Sequence, residues 1–263
     1  MKGAILYFSL TGNTKLACEY ISQKTAGIDF EIFNMRDSCP NLSDYQIVGF
    51  ATFASEFKVA AYVRSFIGNM KMIKDKPAFV FTTYGRDNGC ATRVLADMLS
   101  DKGFRIVAEH SLNTPENYPP IIRKEHGHVD NPTPEQMASF DRFIKDLADV
   151  CKQIDSGLNI KSITIPAELR YRIMSKISSR KMMQSMMGNK QVDKALCIKC
   201  GLCAAVCPYG AISASGYPTF DESKCVGCFA CYNRCPKKAI FTKDFQQFAN
   251  YSEPLPQFVE KLK

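Results

Sequence analysis

The first 150 residues alternate short apolar runs with amphipathic segments of helical length. Short apolar runs bounded by turn residues are typical of buried strands, and strands that alternate with helices form a parallel sheet covered on both faces. The pattern therefore predicts an α/β fold with a doubly wound parallel sheet of five strands. The predicted strands lie near residues 3–8, 28–33, 46–52, 77–83 and 104–109, and the predicted helices near 13–25, 57–69, 89–102 and 134–152.

The last of these helices has a well-marked start. Thr133-Pro134-Glu135-Gln136 offers an N-cap hydroxyl, a Pro at the first helical position and a Gln at the third. These residue types at this spacing predict a capping box that fixes the helix start at residue 134.

A basic, methionine-rich connector follows at 153–190 and separates the first domain, 1–152, from a cysteine-rich domain at 191–245 and a tail at 246–263. Residues 166–187 have the pattern of a helix, with Pro near the start and Gly just past the end. We expect its apolar stripe to pack between the two domains, with a helix on a membrane surface as the alternative. The stripe consists of Leu169, Ile173, Ile177, Met183 and Met187.

Eight of the twelve cysteines fall in two matching runs. A third Cys in each run and a Pro after the fourth are typical of 4Fe-4S cluster binding, in which four thiolates hold one cluster. A zinc site is the alternative, but zinc sites use paired Cys-x-x-Cys units with longer spacers or a His ligand. The runs are Cys197-x-x-Cys200-x-x-Cys203-x-x-x-Cys207-Pro208 and Cys225-x-x-Cys228-x-x-Cys231-x-x-x-Cys235-Pro236.

The flanks of the runs repeat as well, because residues 196–212 align with 224–240 without a gap. This duplication resembles bacterial ferredoxins with two 4Fe-4S clusters, and the resemblance covers residues 191–242. It implies a small α+β ferredoxin-like domain wrapped around its cofactors. In that arrangement the fourth Cys of each run reaches the other run's cluster. The predicted ligands are therefore Cys197, Cys200, Cys203 and Cys235 for the first cluster, and Cys225, Cys228, Cys231 and Cys207 for the second.

The turn after the first predicted strand has the residues of a phosphate-binding loop. Hydroxyls and backbone N–H groups at a helix N-terminus can hold a phosphate without a cation, and a Gly lets the backbone approach closely. The P-loop pattern and the Gly-x-Gly-x-x-Gly dinucleotide pattern are missing at this turn. Simple capping of the helix by hydroxyl residues is the alternative. The loop is Ser9-Leu10-Thr11-Gly12-Asn13-Thr14.

This loop is similar to the FMN-phosphate loop of flavodoxins, and the resemblance to flavodoxin-like proteins covers about residues 1–150. It implies that loops after the third and fourth strands wall the isoalloxazine ring of FMN. Phe53 in the first of these loops is a candidate to stack on the ring, with a place in the core as the alternative. The second loop offers Tyr84 as a stacking candidate, together with Gly85, Asn88 and Gly89.

Residues 113–132 contain several prolines and two histidines without a clear period. A structureless loop of this length is often functional, so we expect it either to cover the flavin or a substrate, or to form a surface insertion. His126 and His128 are expected to be unligated.

The chain carries a formal net charge of +8, and residues 161–190 supply about +6 of it. This basic segment is either a solvated helix face or a docking surface for an acidic redox partner, such as a ferredoxin or a flavodoxin. No nucleic-acid-binding pattern accompanies the charge, and no apolar stretch is long enough for a membrane span. Cysteines in a metal-binding pattern indicate a reducing, cytoplasmic location.

The whole layout resembles flavodoxin–ferredoxin fusion proteins of the EFR type. The resemblance implies an electron-transfer iron–sulfur flavoprotein with FMN, two 4Fe-4S clusters and a redox partner. An FMN-dependent reductase of a small organic substrate is the alternative, and it requires a substrate cavity walled by residues 113–132. A cluster-based redox sensor without flavin is a third hypothesis, against which the phosphate-binding loop argues.

Overall fold

The computed structural model describes residues 1–37, 39–125, 128–177, 184–185, 187–246 and 250–263. The strands of the first domain are β1 (Lys2–Tyr7), β2 (Asp29–Asn34), β3 (Ile47–Ser55), β4 (Lys58–Val59), β5 (Lys76–Tyr84) and β6 (Phe104–Asn113). Its helices are α1 (Asn13–Lys24), α2 (Ala61–Asn69), α3 (Ala91–Ser100), α4 (Pro119–Glu125) and α5 (Pro134–Asp155).

Five of these strands are parallel and follow the order β2-β1-β3-β5-β6. This is the strand order of flavodoxin-like doubly wound sheets, in which the switch point lies between the first and third strands. The predicted five-strand parallel sheet is therefore confirmed. The two-residue strand β4 folds back antiparallel on the end of β3 and makes the sheet six-stranded.

The two faces of the sheet bury separate apolar clusters. One cluster joins Leu6 and Val48 to α2 and α3, and the other joins Ile5 and Phe79 to α1 and α5. Successive residues of β1 enter opposite clusters because side chains alternate along a strand. The capping box of α5 is present: Gln136 N–H donates to the Thr133 hydroxyl, and the Gln136 side chain accepts from Thr133 N–H.

Two predicted segments of the first domain differ from the structure. Helix α2 begins at Ala61 and not near residue 57, because Glu56 and Phe57 have positive φ angles and turn the chain into β4. The segment 113–132 is not structureless where it is described, because 119–125 form α4 and residues 113–116 are buried. His128 is exposed, whereas His126 lies outside the described residues.

The connector first runs without regular secondary structure beside the edge strand β6, where Ile163 N–H donates to Ile106 O. It then forms α6 (Leu169–Ile177) within the predicted helix, and residues 178–183 and 186 of that helix lie outside the described residues. Leu169, Ile173 and Ile177 are exposed, so the expectation that these residues pack between the domains is wrong. Met187 is buried in the cysteine-rich domain, and Met183 lies outside the described residues.

The cysteine-rich domain consists of very short elements. Its strands are β7 (Gln191–Val192), β8 (Ile212–Ser213), β9 (Thr219–Phe220) and β10 (Ile240–Phe241), and its helices are α7 (Leu202–Ala205) and α8 (Ala230–Asn233). The tail adds α9 (Pro256–Lys261). Across the described residues, no helix combines the length and apolarity that a membrane crossing requires.

Candidate functional site

The eight cysteines of the two runs surround two cavities in the cysteine-rich domain. Cys197, Cys200, Cys203 and Cys235 line the first cavity, and Cys207, Cys225, Cys228 and Cys231 line the second. Each cavity takes three thiols from one run and the fourth from the other, as in two-cluster bacterial ferredoxins. The two groups of four cysteines are the same as the two predicted ligand sets. Ligation of iron by these thiols stays a prediction.

The internal duplication is visible in the hydrogen bonds as well as in the sequence. Strand β7 pairs with β10, and the equivalent strand β9 pairs with β8. The first strand of each half therefore pairs with the last strand of the other half. Asp193 N–H donates to Ala239 O, and Asp221 N–H, 28 residues later, donates to Ala211 O at the same distance of 2.8 Å. The two halves therefore present equivalent positions to equivalent cavities.

The backbone wraps around each cavity through residues with positive φ angles. Gly201 and Phe229 occupy equivalent positions just before α7 and α8, and both are left-handed. This conformation is easy for Gly and costly for a residue with a side chain. Phe229 is nevertheless fully buried there, in contact with Tyr232 and Phe245.

The thiols of the second cavity are the more deeply buried. Burial raises the pKa of Cys228 to about 11 and raises the pKa of Cys231 as well, whereas Cys200 of the first cavity is exposed. Metal binding must therefore displace protons from Cys228 and Cys231. Ala239 N–H donates to the Cys235 sulfur at 3.3 Å in the first cavity.

Lys190 is a charged residue of the second cavity that the sequence motifs did not indicate. Burial lowers its pKa, but attraction by Cys225, Cys231 and Glu222 outweighs burial, and the net pKa is raised. Only 6% of Lys190 is exposed, so its side chain is enclosed beside the thiols of the second cavity. An anionic group in the cavity suits this environment.

In the first domain, the loop at 9–14 forms an uncapped helix N-terminus at the switch point of the sheet. Gly12 is the N-cap of α1 with φ 107°, α1 has no side-chain cap, and its first turn contains no acidic residue. Gly12 N–H donates to the Ser9 hydroxyl at 3.1 Å. The remaining first-turn N–H groups have no partner within the helix, and such groups attract anions.

The hydroxyls of this loop keep protons that they could donate to an anion. Thr11 Oγ1 accepts from Asn117 Nδ2 at 2.6 Å, so its own O–H proton is not used in that contact. Thr14 Oγ1 and Thr83 Oγ1 lie 2.8 Å apart and share one hydrogen bond, which leaves one of the two protons. The donor set of the loop therefore fits a phosphate group.

Asn13 has a different role from the other loop residues. Its Nδ2 donates to Pro115 O at 3.1 Å, and its Oδ1 accepts from the Tyr251 hydroxyl at 2.9 Å. Asn13 therefore fastens the loop to the segment after β6 and to the tail. Leu10 is partly buried against the core.

The tail is an integral part of the first domain. Phe258 is fully buried in the cluster beneath α1 and α5, and Lys261 Nζ donates to Pro132 O at 2.9 Å. Pro254 covers Gly12 so closely that a Cβ atom there would lie 2.8 Å from Pro254 Cδ. The tail thus closes one side of the phosphate-binding loop.

The predicted flavin-stacking residues lie in different environments. Phe53 stacks on Phe8 at 5.6 Å between ring centroids and packs against the core, which is the alternative foreseen for it. Tyr84 is half-buried at the end of β5 beside Asn113, and burial raises its pKa. Tyr84 therefore lies at the carboxyl edge of the sheet, where ligands bind in this fold.

The glycines and Asn88 of the second loop serve packing and local hydrogen bonding. Asn88 Oδ1 accepts from the Thr82 hydroxyl at 2.9 Å, and Asn88 Nδ2 donates to Thr92 at the same distance. A Cβ atom at Gly85 would lie 2.4 Å from the Glu116 carboxylate, and one at Gly89 would lie 2.7 Å from Phe57 Cα. These positions hold the loop against its neighbours.

Residues 114–118 connect the loops of the first domain to the second cavity. The buried Glu116 carboxylate accepts the N–H groups of Arg86, Asn117 and Tyr118 at 3.1, 2.9 and 3.0 Å. Burial raises the pKa of Glu116, and the three N–H donors oppose the rise. Nothing in the sequence signals the contact between Glu116 and Arg86, because these residues are 30 positions apart in the chain.

The same segment contacts the cysteine-rich domain. Asn233 Nδ2 donates to Asn117 O at 2.8 Å, and the Tyr118 ring packs edge-on against Phe229 at 5.7 Å. Burial raises the pKa of Tyr118, and Glu116, Glu56 and Cys228 add to the rise. The wall of the second cavity therefore packs against the first domain through Phe229.

Comparisons with known proteins agree on the cysteine-rich region. Residues 196–239 match a family model described as a 4Fe-4S dicluster domain, and a second model with the same description matches residues 148–211. Hydrogenase-4 component A of Escherichia coli strain K12 is 69% identical over 26 residues, which are 10% of this chain and 13% of that protein. The match thus spans a small part of either protein.

Several solved flavodoxins overlap the first domain. A flavodoxin from the domain Archaea is 17% identical and covers 58% of this chain and 99% of its own, with a TM-score of 0.43. Flavodoxin 1 from Bacillus cereus is 16% identical and covers 60% of this chain and 100% of its own, with a TM-score of 0.42. Megasphaera elsdenii flavodoxin is 20% identical and covers 56% of this chain and 98% of its own, with a TM-score of 0.42. The fold assignment rests on the strand order described above.

Proposed function

We propose that this protein is an electron-transfer iron–sulfur flavoprotein, with FMN in its first domain and two 4Fe-4S clusters in its cysteine-rich domain. The observation that carries the proposal is the position of the second cavity. Its wall residue Phe229 contacts Tyr118, which lies five residues beyond the carboxyl end of β6. Ligands bind at that edge in this fold. FMN accepts two electrons and releases them singly, whereas each cluster carries one.

The phosphate of FMN would be held by the loop at 9–14. The uncapped N–H groups of α1 and the Thr11 hydroxyl, which Asn117 orients as a donor, supply hydrogen bonds to an anion. Thr14 and Thr83 supply a further hydroxyl proton. Gly12 allows the close approach, and Asn13 keeps the loop in place through Pro115 and Tyr251.

The two cavities then form an inner and an outer site. The second cavity lies against the first domain, and the first cavity has the exposed Cys200 and the exposed Ile198 at its rim. Lys199 and Lys237 also line the first cavity and are exposed, which suits an acidic partner such as a ferredoxin or a flavodoxin. The thiol-rich sites require a reducing compartment, so we propose the cytoplasm as the location.

A reductase of a small organic substrate is the second candidate function. It is favoured by a cavity of about 490 Å³ between α2 and the second cysteine run, which is large enough for a small ligand. Lys58, Arg64 and Lys224 line this cavity with Glu56 as the acidic residue, so an anionic substrate would fit. The described residues of 113–132 do not wall this cavity, and Asn117 and Tyr118 of that segment instead contact the cysteine-rich domain.

The test is the cofactor content of protein purified without oxygen and incubated with FMN, iron and sulfide. We expect about eight irons and one FMN per chain, as two cubane clusters and one flavin require. A stopped-flow experiment should then show that electrons from the reduced flavin reach the clusters within the same chain. Eight irons without flavin would contradict the proposal, as would flavin and clusters that exchange no electrons.

A further inference from the structure

Lys190 and Pro218 are equivalent positions of the internal duplication. They lie 28 residues apart, as the paired cysteines do, and each directly precedes a strand, β7 for Lys190 and β9 for Pro218. Lys190 lines the second cavity, and Pro218 lines the first. The two cavities therefore differ by one cation at a matched position.

The Lys190 side chain is held inside the protein. Only 6% of the residue is exposed, and its ammonium lies 5.4 Å from the centre of the Phe229 ring. Its backbone N–H donates to Glu222 Oε1 at 2.9 Å. Within the described part of the chain, Nζ has no oxygen or nitrogen hydrogen-bond partner, and the Cys225 thiol is the hydrogen-bonding group beside it. A buried cation without such a partner is costly unless an anion lies close by.

Other charges near the cavities act more weakly. Lys199 and Lys237 line the first cavity, but both are exposed, and water screens charges that it surrounds. Glu222 accepts the Lys190 backbone N–H and is only half-buried, so its charge offsets part of the ammonium field. Among the described residues that line the two cavities, the buried ammonium is thus the dominant asymmetric charge.

We propose that Lys190 raises the reduction potential of the cluster held by Cys207, Cys225, Cys228 and Cys231 above that of the cluster held by the other four cysteines. Reduction adds one electron, supplied by the flavin or an external reductant, and hence one negative charge to each cluster. At the second cavity that charge appears beside a buried cation, and at the first it appears beside Pro218. The proposal rests on the two clusters of the proposed function.

This asymmetry gives the inner cluster a defined task. A higher potential makes it the first of the two clusters to be reduced, next to the domain proposed to bind FMN. Onward transfer to the outer cluster is then uphill and is favoured by an acceptor docked at the exposed first cavity. The inner cluster would therefore retain an electron until a partner binds.

The experiment is a redox titration followed by electron paramagnetic resonance on the full chain with eight irons bound. Lys190→Met should lower one of the two midpoint potentials and change the other much less. Lys190→Arg, which keeps the charge, should remain near the wild type. Lys237→Met removes an exposed cation from the first cavity and serves as the matched control, with a small shift expected. Midpoints that are unchanged in Lys190→Met, or that both fall equally, would overturn the proposal.

The wild-type protein gives a second measurement that needs no variant to fold. The cysteine β-proton signals shifted by the paramagnetic clusters identify which cluster is reduced first in a partly reduced sample. We expect the signals of Cys225, Cys228 and Cys231 to change first, and the reverse order would overturn the proposal. Failure of the proposed function would instead appear earlier, as an iron content well below eight per chain.

Discussion

Apolar side chains cover both faces of the sheet in the first domain, whereas the cysteine-rich domain has paired strands of two residues each around a much smaller core. The area that a chain can bury grows with its size, so a segment of this length gains little stability from its own packing. The first domain has the core of an independently folding unit. The cysteine-rich domain depends on what fills its two cavities.

Removal of iron should produce the largest difference in stability between the two domains. Chelation in the presence of a reductant should unfold the cysteine-rich domain, because its cavities then lack the groups that organise them. Residues 250–263 should stay folded, since Phe258 is buried in the first domain. Hydrogen exchange measured by mass spectrometry would check this. Equal protection in both domains after iron removal would contradict the comparison.

Loss of the ligand that one run supplies to the other run's cavity should remove one cluster and leave the other. Cys207→Ala removes a thiol from the second cavity only, so about four irons per chain should remain, held by Cys197, Cys200, Cys203 and Cys235. Iron analysis and electron paramagnetic resonance would measure the loss. Survival of the second cluster with loss of the first would reverse the ligand assignment.

Phe258→Ala tests whether the tail belongs to the first domain. The ring is fully buried, so its removal should lower the free energy of unfolding by about 3–5 kcal/mol. Urea unfolding followed by circular dichroism would measure this. Phe245→Ala is the matched control, because Phe245 lies in the small core of the cysteine-rich domain. It should labilise iron and leave the first domain intact.

Protonation of His110 should lower the stability of the first domain at acidic pH. Burial lowers its pKa to about 4, and its ring lies between 5 and 6 Å from the rings of Phe140 and Phe143. The unfolded chain binds the proton near pH 6.5, so stability is fully present above that pH. It should fall by roughly 3 kcal/mol as the pH drops from 6.5 to 4. His110→Phe should flatten this part of the unfolding profile; an unchanged profile would refute the role of His110.

Thr11→Ala should have the smallest of these effects. Loss of a hydroxyl donor to a charged phosphate should weaken FMN binding by about 1.5–3 kcal/mol. Fluorescence titration with FMN would measure the affinity. Thr25→Ala, at the opposite end of α1, is the matched control and should leave the affinity unchanged. Equal affinities for the wild type and Thr11→Ala would exclude Thr11 from the phosphate site.

The sequence by itself determined the parallel sheet, the start of α5 at Pro134 and the two cysteine runs with the spacing of cluster ligands. These features follow from local patterns: apolar periodicity, capping residues and fixed ligand spacing act between residues that are close in the chain. The tertiary structure alone decided that Phe53 packs on Phe8, that Asn117 orients Thr11 and that Tyr251 and Pro254 return to the phosphate-binding loop. It also placed Lys190 inside the second cavity. Such contacts join residues that are distant in the chain, and only the packing of the whole fold brings them together.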